Sequence, residues 1–165
     1  MRLRTARDPD LRAVGGVHLR SRAAAYAHIL APETLAGGSA EALGEWWTER
    51  WKWERETHRL TVADDDGEIV GFTYVGPSET EGAVELYAIH VVPELVGTGV
   101  GRQLMVNALE QLRQIGGERA VLWVLERNER ARRFYDRGGW RPDGETRVEA
   151  VNGEPVPQLR YSREL

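Results

Sequence analysis

The chain predicts an α/β fold, one domain over residues 1–165 built on a mixed sheet. Three observations carry that expectation. Strand-like and helix-like patterns alternate along the chain, with no linker, repeat or low-complexity segment between them. A nearly continuous apolar run, Ala120–Leu125, has the character of a buried strand. A glycine-rich turn, Gly97–Gly101, joins the strongest strand pattern to a helix pattern. A chain of 165 residues suits one domain and buries roughly 68–70% of its unfolded surface on folding.

Arg2–Ala6 alternates and predicts a first strand. Asp8-Pro9-Asp10 supplies helix-start chemistry, with Leu11, Val14, Val17 and His18 at helical spacing behind it. Further helix is expected from Ser21 to Leu30, and Pro32 opens a short one that Gly37-Gly38 ends. Ser39 is placed to cap a long helix running to Thr57, which holds four of the six tryptophans: Trp46, Trp47, Trp51 and Trp53. An aromatic stripe at helical spacing is usually core, so at least two of these are expected to pack inward. Leu60–Ala63 and Ile69–Val75 read as a hairpin around the acidic turn Asp64–Gly67. The rest of a calcium loop is missing there, so the acidic run is read as turn and solvent chemistry. A polar loop, Gly76–Gly82, leads to the strong strand Val84–Val92. After the glycine turn a helix is expected to about Ile115, ended by Gly116-Gly117. Ala120–Leu125 follows, then a short helix from Asn128 through Tyr135 to Arg137, stopped by Gly138-Gly139. Arg147–Val151, Asn152-Gly153 and Val156–Ser162 predict a terminal hairpin. Pro155 and Pro157 confine part of its last strand to an edge or an irregular segment.

Composition narrows the function classes. A net charge of −4 and a pI of about 5.6 suit nucleic acid poorly, because its binders present a basic stripe. Arginine supplies almost all the positive charge, and Lys52 is the only lysine. With no cysteine, the chain has no thiol nucleophile, thiolate zinc site or acyl-cysteine intermediate, and it fits a reducing compartment. The opening residues lack the apolar core of a signal peptide, and no stretch approaches the ~20 apolar residues of a membrane span. A cytoplasmic protein with neither nucleic-acid nor membrane partners is expected. His18, His28 and His58 share no metal-ligand spacing, so no metal is expected either.

The chemistry concentrates between Glu85 and Trp140. Glycines let backbone approach a ligand closely, and free N–H groups at a helix N-terminus favour phosphate. Residues Gly97–Arg102 therefore predict a site for a phosphorylated ligand. A P-loop needs a Gly-Lys pair, which is absent. A dinucleotide fingerprint needs a different glycine spacing and an acidic residue about 20 positions on. A nucleotide-binding enzyme using this turn is thus the weaker alternative.

The flanking residues carry a specific resemblance. ELYAIHVVPELVGTGVGRQL, residues 85–104, resembles the fourth strand, turn and third helix of GNAT acetyltransferases. NERARRFYDRGGW, residues 128–140, resembles the next motif of that family, N-x-x-A-x-x-F-Y-x-x-x-G-[FW]. The order and separation also match. One position departs: Val96 stands where the family commonly has Gln or Arg, while Gly99 and Gly101 match.

The resemblance implies a single-domain acyl-CoA N-acyltransferase fold: a mixed, mostly antiparallel sheet flanked by helices. Its central strands, at Glu85–Val92 and Ala120–Leu125, should splay to admit coenzyme A. It also implies roles. Backbone N–H groups of Gly97, Thr98, Gly99, Val100, Gly101 and Arg102 would cradle the CoA pyrophosphate. Ile89, His90 and Val91 would pair with the pantetheine arm, with the Ile89 N–H at the thioester oxygen. Asn128 would bond the pantetheine or order its motif. Tyr135 would sit near the CoA sulfur as general acid, and Glu85 is the candidate general base.

These residue types match the reaction. An amine with a pKa near 10.4 must lose a proton before it attacks, which a carboxylate can accept. The leaving thiolate can take one from a phenol. A glutamate at a strand's start is nevertheless usually solvated, a tyrosine on a helix often only packs, and a histidine such as His90 often contributes only its backbone. Tyr26, His28, Trp46, Trp47, Tyr74, Tyr87 and Trp123 are candidates to line the acceptor pocket, which would suit an aromatic or cationic small-molecule amine. The expected activity is direct acetyl transfer from acetyl-CoA to such an amine. The alternative is a non-catalytic acyl-CoA sensor, and exposed strand edges with the tryptophan content allow a homodimer.

Overall fold

A computed structural model describes residues 1–165. In chain order it comprises β1 (Arg2–Thr5), α1 (Leu11–Ala25), α2 (Pro32–Leu35), α3 (Ala40–Glu54), β2 (Arg59–Asp65), β3 (Glu68–Pro77), β4 (Ala83–Val91), α4 (Val100–Ile115), β5 (Arg119–Leu125), α5 (Glu129–Arg137), β6 (Arg141–Val151) and β7 (Glu154–Glu164). The strands form one seven-stranded sheet in the order β1-β2-β3-β4-β5-β7-β6. Every neighbouring pair is antiparallel except β4 and β5, which run parallel.

That parallel pair is short. Only Ala83, Val84 and Glu85 pair, with Arg119, Ala120 and Val121. Beyond them β4 continues to Val91 beside β3, and β5 continues to Leu125 beside β7, with nothing paired between. A bulge accounts for the divergence. Tyr74 opposes Ala88 while Val75 opposes Leu86, so Tyr87 is an extra residue in β4. Such an insertion bends its strand and increases the local twist. Burial follows the same boundary: Val84, Glu85 and Leu86 are buried, whereas Tyr87 to Val91 are half-buried in the middle of the sheet.

Helices cover both faces. α1 and α3 lie over β2–β4 with Leu11, Val14, Trp47, Trp51, Phe72 and Tyr74 in one core. α4 and α5 cover the other face, where Met105, Leu112, Leu122, Tyr135, Trp140 and Tyr161 form a second. α1 and α3 touch backbone to backbone. A Cβ on Gly15 would stand 2.3 Å from the Gly44 nitrogen, so only glycine permits this approach.

Local chemistry sets the ends of the elements. Ser39 caps α3, its Oγ accepting from the Ala42 N–H at 3.0 Å. Gly99 (φ 99°) opens α4 and Gly116 (φ 106°) closes it. Asn152 (φ 48°) and Gly153 (φ 85°) make the two-residue turn between β6 and β7, as this dipeptide predicts.

Three expectations are corrected. The helix expected to reach Leu30 stops at Ala25, because Ile29 and Leu30 turn inward onto Leu125 and Val156. The terminal hairpin is longer than the alternation suggested. β7 is interior from Gln158 onward; β5 has ended opposite Gln158, and past that end only the Pro157 carbonyl is engaged on this side, accepting from the Glu126 N–H at 3.0 Å. The missing proline N–H groups therefore interrupt no ladder on that side. Asp64 belongs to no solvated turn: it is 6% exposed and accepts from Arg4 Nε at 2.8 Å and the Gly67 N–H at 2.7 Å. The tryptophans of α3 follow expectation, with two packed inward: Trp47 and Trp51 are core, while Trp46 and Trp53 are exposed.

Gly15→Ala should destabilise the fold by about 1–3 kcal/mol through overpacking, lowering Tm by roughly 2–4 °C per kcal/mol. Gly16→Ala, where a Cβ meets nothing within 4 Å, should hold or raise Tm. Equal Tm values for both variants in a thermal melt would contradict the helix contact.

Candidate active site

The opening between β4 and β5 brings the chemistry-bearing residues together. In an antiparallel pair, hydrogen-bonded and non-bonded residue pairs alternate. The Val92 N–H donates to the Val70 carbonyl at 2.9 Å. By alternation His90, opposite Phe72, spends its backbone on β3, while Ile89 and Val91 aim theirs at the opening. Of the three β4 residues expected to meet the pantetheine arm, two thus present unspent N–H and C=O groups. The His90 imidazole is also engaged: Nδ1 lies 3.0 Å from Ser21 Oγ, and the ring centroid lies 4.6 Å from that of His18. His18 accepts from Trp47 Nε1 at 3.0 Å. Burial pushes His18 down to about 4 and His90 well below the usual histidine value, so both are neutral packing groups.

At the chain's next turn, Gly97 (φ 83°) and Gly99 (φ 99°) are left-handed, and a Cβ on either would point into open space. The N–H groups of Gly97, Gly99, Val100, Gly101 and Arg102 bond no backbone acceptor. They form a row of free donors at the N-terminus of α4, suited to anionic oxygens. Thr98 differs. Its N–H bonds the Leu95 carbonyl at 3.2 Å, and its Oγ1 bonds the same atom at 2.5 Å. Thr98 shapes the turn and adds no free amide to the row. Val96, the departure from the family pattern, is 37% exposed.

Glu85 and Tyr135 stand on opposite faces of the sheet. Gly76 opposes Glu85, and a Cβ there would meet the His58 ring at 2.2 Å, which puts Glu85 on the α3 side. Its side chain is buried, and Oε1 accepts from Ser78 Oγ at 2.8 Å. Burial raises the carboxyl above the ordinary range, against the opposing pull of Ser78, Arg147 and Arg50. Tyr135 comes from α5 and packs against Trp140 and Tyr161. Burial, with a smaller contribution from nearby Tyr26, raises its phenol well above the usual value and keeps it protonated. Asn128 caps α5, its Oδ1 accepting from the Ala131 N–H at 3.2 Å.

The residues singled out for the acceptor side separate into groups. Tyr87 and Trp123 are half-buried beside the opening, on the Glu85 face. Tyr26 lies at the far end of β5, against the Ile29–Leu125 cluster. Trp47 and Tyr74 are 2% and 0% exposed; they are core residues and line no open surface. His28 is exposed, and its carbonyl accepts from Arg127 at 3.1 Å. Trp46 is exposed on α3 at the rim of an open depression shared with Glu49, Arg50, Trp53 and Glu54.

Sequence reading missed the arginines that furnish this side. Arg50 lies 4.8 Å from the ring centroids of both Tyr74 and Tyr87, and its Nε bonds Glu54 at 3.1 Å. Glu54 also accepts from the Tyr74 hydroxyl at 2.6 Å. Arg147 stacks on Trp123 at 4.3 Å. The i, i+4 spacing of Arg50 and Glu54 was visible in the sequence, but the meeting of Arg147 with Trp123 depends on the β6–β7–β5 register. No group of three or more His, Asp or Glu side chains converges to hold a metal, and no helix is long and apolar enough to cross a membrane.

The sequence and the fold match known proteins. An N-acetyltransferase of Archaeoglobus fulgidus, itself uncharacterized, is 37% identical over 91 residues, 52% of this chain and 62% of that protein. A mycothiol acetyltransferase of Acidimicrobium ferrooxidans is 37% identical over 87 residues, 51% of this chain but only 28% of that protein. The chain thus spans less than two thirds of the length of either relative. In fold, the PaiA N-acetyltransferase of Thermoplasma acidophilum, solved in complex with coenzyme A, superposes with a TM-score of 0.82 at 17% identity, covering 99% of this chain and 98% of that one. The model of the acetyltransferase (GNAT) family matches residues 23–140, and the chain belongs to that family.

Proposed function

We propose that the protein is an acetyl-CoA-dependent N-acetyltransferase acting on a small-molecule amine. The observation that carries this reading is the unspent backbone of Ile89 and Val91 in the β4–β5 opening, in line with the free amide row at Gly97–Arg102. An extended pantetheine arm fits the first as an added strand, and a pyrophosphate fits the second. Family membership and the fold shared with a CoA complex support the same ligand.

The reaction then follows from the two faces. The acceptor approaches from the α3 side, where Glu85 takes a proton from its ammonium group, directly or through a water. The neutral nitrogen attacks the thioester carbon. The Ile89 N–H donates to the oxyanion that develops. As the C–S bond breaks, the nitrogen releases its remaining surplus proton to solvent, and Tyr135 gives its proton to the sulfur from the α5 side and regains one from solvent. The products are the amide and free coenzyme A. Burial raises the Glu85 carboxyl above its ordinary value, which makes its carboxylate a stronger proton acceptor.

The test of the whole reading is acetyl-CoA-dependent thiol release across a panel of alkyl, aryl and polyamines, amino acids and peptides. Amine-dependent release is expected. CoA binding without release from any amine would favour an acyl-CoA sensor.

Tyr135→Phe should lower kcat by about 10²–10⁴ while leaving the Kd for CoA within about threefold. An unchanged kcat would remove Tyr135 from the acid role. Ser78→Ala removes the hydrogen bond that favours ionised Glu85, leaving burial to raise its pKa further. The acid limb of the kcat/KM profile should then move to higher pH, because the base must be ionised to act. A limb that stays in place would belong to another group. Gly99→Ala forces a side chain into a left-handed conformation that costs roughly 1–2 kcal/mol and puts a methyl beside the amide row. Calorimetry should show CoA binding weakened by about tenfold or more, and unaltered affinity would separate this turn from the cofactor.

A further inference from the structure

The sheet face that carries Glu85 also carries a cation whose terminal nitrogens hold nothing. Val121 pairs with Glu85, so Trp123, two residues on, stands on the same face where β4 and β5 have parted. Arg160 opposes Trp123, and Gln158 opposes both Leu125 and Arg147. Glu85, Trp123, Arg160, Gln158 and Arg147 therefore share this face, by the two-residue alternation of strands.

The arginines there differ in what occupies them. Arg50 is bonded to Glu54. Arg160 donates through Nε to Asp143 at 2.7 Å and through Nη1 to Thr80 at 3.3 Å. Arg147 reaches across β7 and lays its guanidinium on the Trp123 ring at 4.3 Å, and its Nε donates to Gln158 Oε1 at 2.6 Å. Its nearest carboxylate, Glu149, lies 3.8 Å from Nε and is half-exposed. Stacking and the Nε bond hold the plane in place, while neither terminal amino group bonds any protein acceptor. A planar fork fixed at its base, with both tips free, is the arrangement that binds a carboxylate in bidentate fashion. Its place matters as much as its geometry. Val121 pairs with Glu85, and Trp123 lies two residues, or roughly 7 Å, further along β5 on the same face, so a ligand amine at Glu85 would have its anionic substituent directed toward the fork stacked on Trp123.

We infer that the acceptor is an amino-carboxylate, an amine bearing a carboxylate that Arg147 holds while the nitrogen is presented to Glu85. The inference rests on the transferase reading above and narrows it. Trp123 is then a positioning residue, the platform that orients the guanidinium. Arg147 sets specificity and takes no part in proton transfer.

The experiment compares matched pairs of acceptors in the thiol-release assay: α-amino acids against the same amines lacking the carboxylate. The wild-type protein should prefer the carboxylated member by about 10- to 100-fold in kcat/KM, the range expected for a charge-assisted bidentate contact, with most of the difference in KM. In Arg147→Ala the ratio should fall to within about twofold of one. In Arg147→Lys, which keeps the charge but not the fork, it should take an intermediate value. A thermal upshift with CoA equal to that of the wild type certifies that each variant is folded. Wild-type turnover that is equal for both members or favours the decarboxylated amine overturns the inference, and so does an Arg147→Ala variant that keeps the wild-type ratio. Thiol release from neither member of any pair overturns the transferase reading itself, and the inference falls with it.

Discussion

The parting of β4 from β5 after three paired residues is the constraint on which everything else depends. A sheet normally satisfies its interior backbone by pairing, and an unpaired buried N–H or C=O costs about 1–3 kcal/mol. Here the extra residue Tyr87 bends β4 away, and β5 follows β7 instead. The result is an interior strand edge at Ile89 and Val91 that protein does not satisfy. An extended polar ligand can satisfy it, and on the proposed reading one sheet defect supplies both a binding groove and the donor for an oxyanion.

The flanking helices turn that opening into a site with two sides. Tyr135 packs on the α5 face, held by Trp140 and Tyr161, while Glu85 faces α3 and is held by Ser78. In the proposed reaction, separating acid from base by the thickness of the sheet would keep the phenol on the sulfur side and the carboxylate on the amine side. Burial acts on the two groups in the same direction and with useful consequences for each. It keeps Tyr135 protonated and raises the Glu85 carboxyl above its ordinary value.

Much of this was legible in the chain, for identifiable reasons. Element order, the α4 glycines, the Ser39 cap and the Asn152-Gly153 turn are local effects that act within four or five residues. The cofactor turn was readable because positive φ and free helix N–H groups leave a glycine signature. What was not legible depends on register and on burial. The i, i+4 spacing puts Trp47 and Trp51 on one face of α3, but that this face is core and that of Trp46 exposed depends on what the helix packs against. The bulge at Tyr87 decides that Ile89 and Val91, and not His90, face the opening. Thr98 lost its amide to Leu95 through a turn that the glycine pattern does not encode. The pairing of Arg147 with Trp123 joins positions brought together only by the terminal hairpin.

Residue-resolved amide hydrogen exchange with and without acetyl-CoA tests the central claim most directly. The account predicts that Ile89 and Val91 exchange readily in the free protein and become protected when the cofactor binds, while His90, already bonded to β3, is protected in both states. Protection of Ile89 and Val91 in the free protein, or no change at either on binding, would contradict the open strand edge on which the site is built.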